Sequence, residues 1–167
     1  ESISAFTQAG YKLQLEQQRK VLDNFGTHFD TWFSERSLYE DNFFDHSLDK
    51  LKKEGHVFEQ EGAIWLRTTD FGDDKDRVMI KSDGTFAYFA SDSAYYVSKR
   101  ERGFNLCIYM LGADHHGYVG RIKALAACAG DDPEKDVEVL IGQMVKIIED
   151  GAELKLSKRA GTIITLE

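Results

Sequence analysis

The chain has 167 residues, 42% of them hydrophobic and 30% charged, which is enough for one packed core. No run approaches the ~20 apolar residues of a membrane span, and Glu1-Ser2-Ile3-Ser4 lacks the basic and apolar regions of a signal peptide. A formal net charge of −8 argues against a general nucleic-acid-binding surface, which needs clustered Lys and Arg, so any RNA contact should be local or made elsewhere.

In chain order, residues 6–25 have helical spacing, with Tyr11, Leu15, Val21, Leu22 and Phe25 on one side and Gly26 as the stop. Phe29, Trp32 and Phe33 predict a strand, and Ser34-Glu35-Arg36-Ser37 a turn out of it. Residues 45–54 read as a short helix stopped by Gly55. Val57-Phe58, Ile64-Trp65-Leu66 and Val78-Met79-Ile80 are short β-type runs. Glu61-Gly62 and Phe71-Gly72-Asp73-Asp74 separate them, which predicts a small inserted antiparallel sheet. After the turn Ser82-Asp83-Gly84-Thr85 the pattern alternates: helix over 89–102, strand over 104–111, helix over 118–129, then strands over 137–141 and 146–148. Such alternation, with apolar strands, predicts a parallel sheet covered by helices, an α/β fold. Cys107 and Cys128 lie in apolar sequence and are expected to be buried thiols in the reducing cytoplasm. There is no initial Met, and the last residues are the apolar run Ile163-Ile164-Thr165-Leu166-Glu167. The chain is therefore expected to be an internal piece of a longer one.

Three stretches could carry chemistry. Lys155-Leu156-Ser157-Lys158-Arg159 places three cations within five residues, beside the small residues Ala160-Gly161-Thr162. Such a loop can neutralise charge building on a polyphosphate leaving group, and the alternative is a solvated basic turn. Leu111-Gly112-Ala113-Asp114-His115-His116-Gly117-Tyr118 lies where a strand hands over to a helix, the usual place for a ligand in an open α/β sheet. Metal binding is the rival there, disfavoured because zinc ligands are usually spaced by two to four residues; a histidine capping the helix or packed in the core is a further alternative. In the third stretch, Tyr88 and Asp92 are four residues apart and would share a helix face, suiting a cationic ligand that meets both a ring and a carboxylate. The alternative makes Asp92 a helix cap and Tyr88 core.

Taken in order, these stretches resemble the arginyl-tRNA synthetase family. The residues that carry the resemblance are Lys81-Ser82-Asp83-Gly84-Thr85, Tyr88-Phe89-Ala90-Ser91-Asp92, the segment from Gly112 to Tyr118, and Lys155 to Gly161. Lys155-Leu156-Ser157-Lys158-Arg159 resembles the KMSKR signature of class I synthetases, with Leu156 for Met. Upstream, Phe29-Asp30-Thr31-Trp32-Phe33-Ser34-Glu35-Arg36-Ser37-Leu38-Tyr39 is also similar. Ser93 departs from the aliphatic residue more usual in the family.

The resemblance implies the second half of a class I Rossmann-like nucleotide-binding fold with a small antiparallel insertion. Residues 1–44 would lead in as helix and strand, 45–81 would form the β-rich insertion, and 82–167 the C-terminal half ending in the signature loop. It implies an arginine–tRNA ligase that activates L-arginine with ATP, with Mg²⁺ expected alongside, no tightly bound cofactor and no metal site of its own. The product would be esterified to tRNA(Arg), held largely by domains outside this sequence. Glu35, Asp92 and Tyr88 would receive the guanidinium, and Asp114 and His115 would edge the amino-acid and adenylate pocket. His116 and Gly117 would wall the ATP site, and Ser157 would sit in the ATP-binding loop. Lys155 and Lys158 would face the phosphates, Lys158 foremost at the transition state. The family's second signature, HIGH, does not occur here, so this piece by itself is expected to be inactive. The whole enzyme would be cytoplasmic and monomeric. Another class I synthetase or a related nucleotidyltransferase is the alternative.

Overall fold

The computed structural model describes residues 2–40, 42–154, 161 and 164–166. Its contacts fall into two units, 1–33 with 145–167, and 34–144. Among the described residues no helix is long and apolar enough to cross a membrane.

In the first unit, α1 (Ser2–Asn24) is a 23-residue helix with no buried residue. Its predicted stop is seen as two closing bonds. Thr27 N–H donates to the Leu22 carbonyl at 2.8 Å and Gly26 N–H to the Asp23 carbonyl at 3.0 Å, a Schellman ending. The strand expected over 29–33 does not form. Trp32 instead packs edge-on against Phe29, ring centroids 5.3 Å apart, and the Arg19 guanidinium lies 4.9 Å from the Trp32 ring. Without a neighbouring strand to pair its backbone, an aromatic run gains more from ring contacts than from extension. The strand expected over 146–148 is also corrected. β6 (Ile148–Glu149) and β7 (Ala152–Glu153) form an exposed antiparallel hairpin, separate from the parallel sheet. Its turn residues Asp150 and Gly151 both have positive φ, 51° and 79°, the geometry that favours Asp-Gly between hairpin strands.

The second unit holds the core. α2 (Ser37–Glu40) and α3 (Phe43–Lys53) bury Leu38, Phe44, Leu48 and Leu51. β1 (Val57–Gln60), β2 (Ala63–Leu66) and β3 (Arg77–Ile80) form the expected antiparallel sheet in the order β1-β2-β3. The β1–β2 turn at Glu61-Gly62 again takes positive φ at both residues, 52° and 73°. α4 (Tyr88–Glu101) packs on α3 and β3 through Phe89, Ala94 and Val97. Ser93, where an aliphatic side chain would make no hydrogen bond, is buried and donates to the Phe89 carbonyl at 2.7 Å, with Met79 Sδ 3.5 Å from the same hydroxyl.

β4 (Cys107–Gly112) and β5 (Val137–Gly142) form the parallel pair, Cys107 opposite Val137 through Gly112 opposite Gly142. α5 (Tyr118–Cys128) connects them and packs on β5 and on the turn Thr68–Phe71. Alternate residues Cys107, Tyr109 and Leu111 are covered, while Ile108 and Met110 face solvent. Asp131 ties the α5–β5 connection to α4, accepting from the Tyr96 hydroxyl at 2.6 Å and from Arg100 at 3.0 Å. Both cysteines are free and buried, and burial pushes the Cys128 thiol up to about 12.

Candidate functional site

The turn from β3 delivers α4 to the site. Asp83 Oδ1 accepts from the Thr85 N–H at 2.9 Å and from its hydroxyl at 2.6 Å, and Ala87 N–H donates to the Met79 carbonyl at 2.9 Å. α4 therefore starts at Tyr88, whose side chain is 96% exposed, which removes the core alternative for that ring. Asp92 lies one turn inside the helix, so it is not a cap. Asp92, Tyr95 and Lys99 follow at spacings of three and four, along one face.

That face borders a cavity of about 270 Å³ between α4, β4 and α5. Phe89, Leu111, Ile122 and Leu125 supply apolar wall, Tyr95, Tyr109 and Tyr118 aromatic wall, and Asp92, His115 and Arg121 the polar groups. Asp92 remains accessible at the opening, yet the surrounding apolar bulk raises its pKa. Arg121 opposes that rise, Glu35 adds to it by like charge, and Lys99 opposes it. Lys99 lies between two rings, with Nζ 4.0 Å from the Tyr95 centroid and 3.9 Å from that of Tyr109. Burial brings its pKa down to about 8. Burial likewise raises Tyr109.

Glu35 lies in the turn leading into α2 and borders a second cavity, about 300 Å³, with Tyr39, Lys81 and Tyr88. Ser91 completes that wall and meets the Tyr39 hydroxyl at 3.2 Å. Neighbouring residues of α4, Ser91 and Asp92, thus border different cavities, and Glu35 reaches Asp92 as a charge rather than as a second wall of one pocket.

At the end of β4 the chain makes a tight turn, Ala113–His115, before α5. Here His116 N–H donates to the Ala113 carbonyl at 3.3 Å. A Cβ on Gly112 would stand 2.6 Å from Asp114 Oδ1, so a side chain there would push the Asp114 carboxylate aside. His115 Nε2 is 3.6 Å from Asp114 Oδ2, and its ring meets Tyr118 edge-on at 5.8 Å. Of the four predicted residues here, His115 borders the cavity, while Asp114, His116 and Gly117 are exposed just beyond the strand end. Lys155, Ser157 and Lys158 lie outside the described residues.

Sequence reading passed over Tyr109, Lys99 and Arg121. Spacing holds a signal for two of them: Asp92, Tyr95, Lys99 and His115, Tyr118, Arg121 each advance by about one turn. Tyr109 has no such local sign, because only its strand position turns it toward α4.

Residues 5–167 match the family described as tRNA synthetases class I (R), catalytic domain. The arginine–tRNA ligase of Frankia alni is 53% identical over 165 residues, 99% of this chain and 30% of that protein. That of Renibacterium salmoninarum is 58% identical over 158 residues, 95% of this chain and 28% of that protein. The chain thus spans under a third of the length of these curated relatives. A solved structure assigned as an arginyl-tRNA synthetase of Campylobacter jejuni superposes with a TM-score of 0.76 at 39% identity, over 83% of this chain and 30% of that one. The arginyl-tRNA synthetase of Plasmodium falciparum, at 19% identity and a TM-score of 0.61 over 79% of this chain and 22% of that one, shares the fold.

Proposed function

The chain belongs to the class I arginyl-tRNA synthetase family, in its catalytic domain, and on that premise we propose that it supplies the amino-acid pocket of an arginine–tRNA ligase. The observation that carries this reading is Asp92: a carboxylate at the opening of a cavity walled by three tyrosines. A guanidinium is planar and weakly hydrated, so it can pair with a carboxylate while its faces lie on rings. An ammonium keeps more of its hydration and fits such a slot less well. Glu35 adds negative potential from outside the cavity, which favours a cation without closing its walls.

In the reaction we propose, arginine's carboxylate attacks the α-phosphate of ATP and pyrophosphate leaves; a terminal ribose hydroxyl of tRNA(Arg) then attacks the adenylate's carbonyl carbon, forming the ester and releasing AMP. His115 with Asp114 at the strand end would position the ligand there, and Tyr88, which borders the second cavity with Glu35, would meet it from that side. His116 and Gly117, exposed beyond β4, would border the nucleotide, where open α/β sheets place ligands. Lys155, Ser157 and Lys158 would meet the phosphates, a role resting on their likeness to the signature loop. Mg²⁺ would accompany the nucleotide phosphates. The enzyme would act as a cytoplasmic monomer.

The test is Asp92→Asn in a protein of the relatives' length that carries this sequence. Charge-assisted hydrogen bonds contribute ~1.5–3 kcal/mol, so the KM for arginine in ATP–pyrophosphate exchange should rise by about tenfold or more. The KM for ATP should move little. An unchanged KM for arginine would remove the assignment of the pocket.

A further inference from the structure

The cavity beside α4 contains a carboxylate and a guanidinium that are not spent on each other. Asp92 and Arg121 both border it. Among the described residues they form no ion pair with one another, and Arg121 Nε is buried with no hydrogen-bond partner. The Arg121 guanidinium lies 4.2 Å from the Tyr118 ring centroid, a contact that holds its plane but satisfies none of its N–H donors. A buried donor with no protein partner is uncommon in folded proteins, and here it leaves a guanidinium able to take an acceptor.

The surrounding charges do not supply that acceptor. Glu35 borders the other cavity. Lys99, on α4, is a cation held between Tyr95 and Tyr109. His115 is occupied with Asp114 at 3.6 Å. One negative and one positive group therefore look into a space of about 270 Å³, near the lower end for small-molecule sites and suited to a single amino acid.

We propose that Arg121 binds the α-carboxylate of the amino acid whose cationic end pairs with Asp92, so that the cavity selects a ligand by both of its charges. This rests on the reading of the cavity as the arginine pocket and adds the residue that receives the ligand's other end. Arg121 presents several N–H donors in a fixed plane, which suits a carboxylate. Holding one carboxylate oxygen leaves the second free to attack phosphorus, so Arg121 would orient the nucleophile as well as bind it.

The test compares binding of L-arginine with that of agmatine, which keeps the guanidinium and an amine but has no carboxylate. It uses a protein of the relatives' length carrying this sequence, as wild type, Arg121→Met, Arg121→Lys and Asp92→Asn. The wild type should prefer L-arginine by roughly tenfold or more, the usual return of a charge-assisted hydrogen bond. Arg121→Met should erase that preference by weakening L-arginine alone, and Arg121→Lys should retain part of it. Should the methionine variant fail to fold, the lysine variant carries the comparison, because it keeps the charge and most of the stem. Equal loss for both ligands in either Arg121 variant, or no preference in the wild type, would overturn the proposal. Asp92→Asn should weaken both ligands alike. If it changes neither, the cavity is not the arginine pocket and both readings fall. If it weakens both while the Arg121 variants leave the preference intact, only the role of Arg121 falls.

Discussion

Replacing Asp73 by Ala should destabilise the second unit by about 3 kcal/mol, the low end of the ~3–5 kcal/mol cost of breaking a buried pair. The side chains of Arg77 and Asp73 are 9% and 4% exposed. Arg77 Nε donates to Asp73 Oδ2 at 2.7 Å, and an Arg77 terminal nitrogen donates to Asp73 Oδ1 at 2.6 Å, a two-pronged contact. The same nitrogen also reaches the Asp74 carboxylate, which is largely exposed and would remain as a weaker partner. That residual contact places the expected loss near the bottom of the range. Domains are stable by only ~5–15 kcal/mol, so the change would be large in urea unfolding followed by tryptophan fluorescence, since Trp65 lies on β2 beside β3. The effect depends on pH in a determined sense. Burial alone would raise the Asp73 carboxyl, but hydrogen bonds from Arg77 and Asp74 outweigh it and hold the pKa well below the carboxylate range. A depressed folded pKa stabilises fully above the unfolded value of about 4 and less as pH falls below it. The gap between wild type and Asp73→Ala should therefore be constant near neutrality and shrink below about pH 4. A loss under about 1 kcal/mol at pH 7, with an unchanged denaturant slope, would refute the reasoning.

Lys158→Ala, in a protein of the relatives' length, should lower the rate of ATP–pyrophosphate exchange by about 10²–10³-fold, the scale of losing one electrostatic contact to a transition state, while the melting temperature stays put. Near-normal exchange would withdraw the phosphate role from that lysine. Lys99→Met should remove a pH-dependent gain in stability. Burial lowers the folded pKa of Lys99 to about 8, so between about pH 8 and 10 the unfolded chain holds more protons at this residue than the folded one. Relative to the variant, the wild type should accordingly gain stability across that window, on the order of 2 kcal/mol once partial exposure is allowed for. Above about pH 10 Tyr109, raised by burial, pulls the other way. Urea midpoints measured from pH 7 to 10 should rise in the wild type relative to the variant, both sharing the fall that the burial-raised cysteine thiols impose above about pH 9; parallel curves would count against the lysine.

Much of the second unit was legible residue by residue. Glu61-Gly62 marked a hairpin turn, Gly55 a helix stop, and the apolar strands around 107 and 137 a parallel pair, because each reports a preference of the backbone over a few residues. The run 29–33 misled for the converse reason. Aromatic β-type composition describes a surface that can pack in a sheet, and it packed on Arg19 and within itself instead. The strand expected over 146–148 overlooked the Asp150-Gly151 signal, which ties Ile148 to Glu153 in a hairpin.

The candidate site divides along the same line. Spacing and motif order singled out Asp92, His115 and the helix and strand that bear them as candidates, since Tyr88 to Asp92 and Gly112 to Tyr118 are contiguous stretches. They did not reveal Arg121 opposite Asp92, Lys99 sealed between Tyr95 and Tyr109, or the separation of Glu35 into another cavity. Those relations join α4, β4, α5 and the turn before α2. Spacing along a chain fixes which face of an element a residue occupies, but the distance between faces of different elements is set by how their side chains fill the space between them. The pocket's chemistry is therefore a product of packing, and its parts become neighbours only once Phe89, Leu111, Ile122 and Leu125 have come together around it.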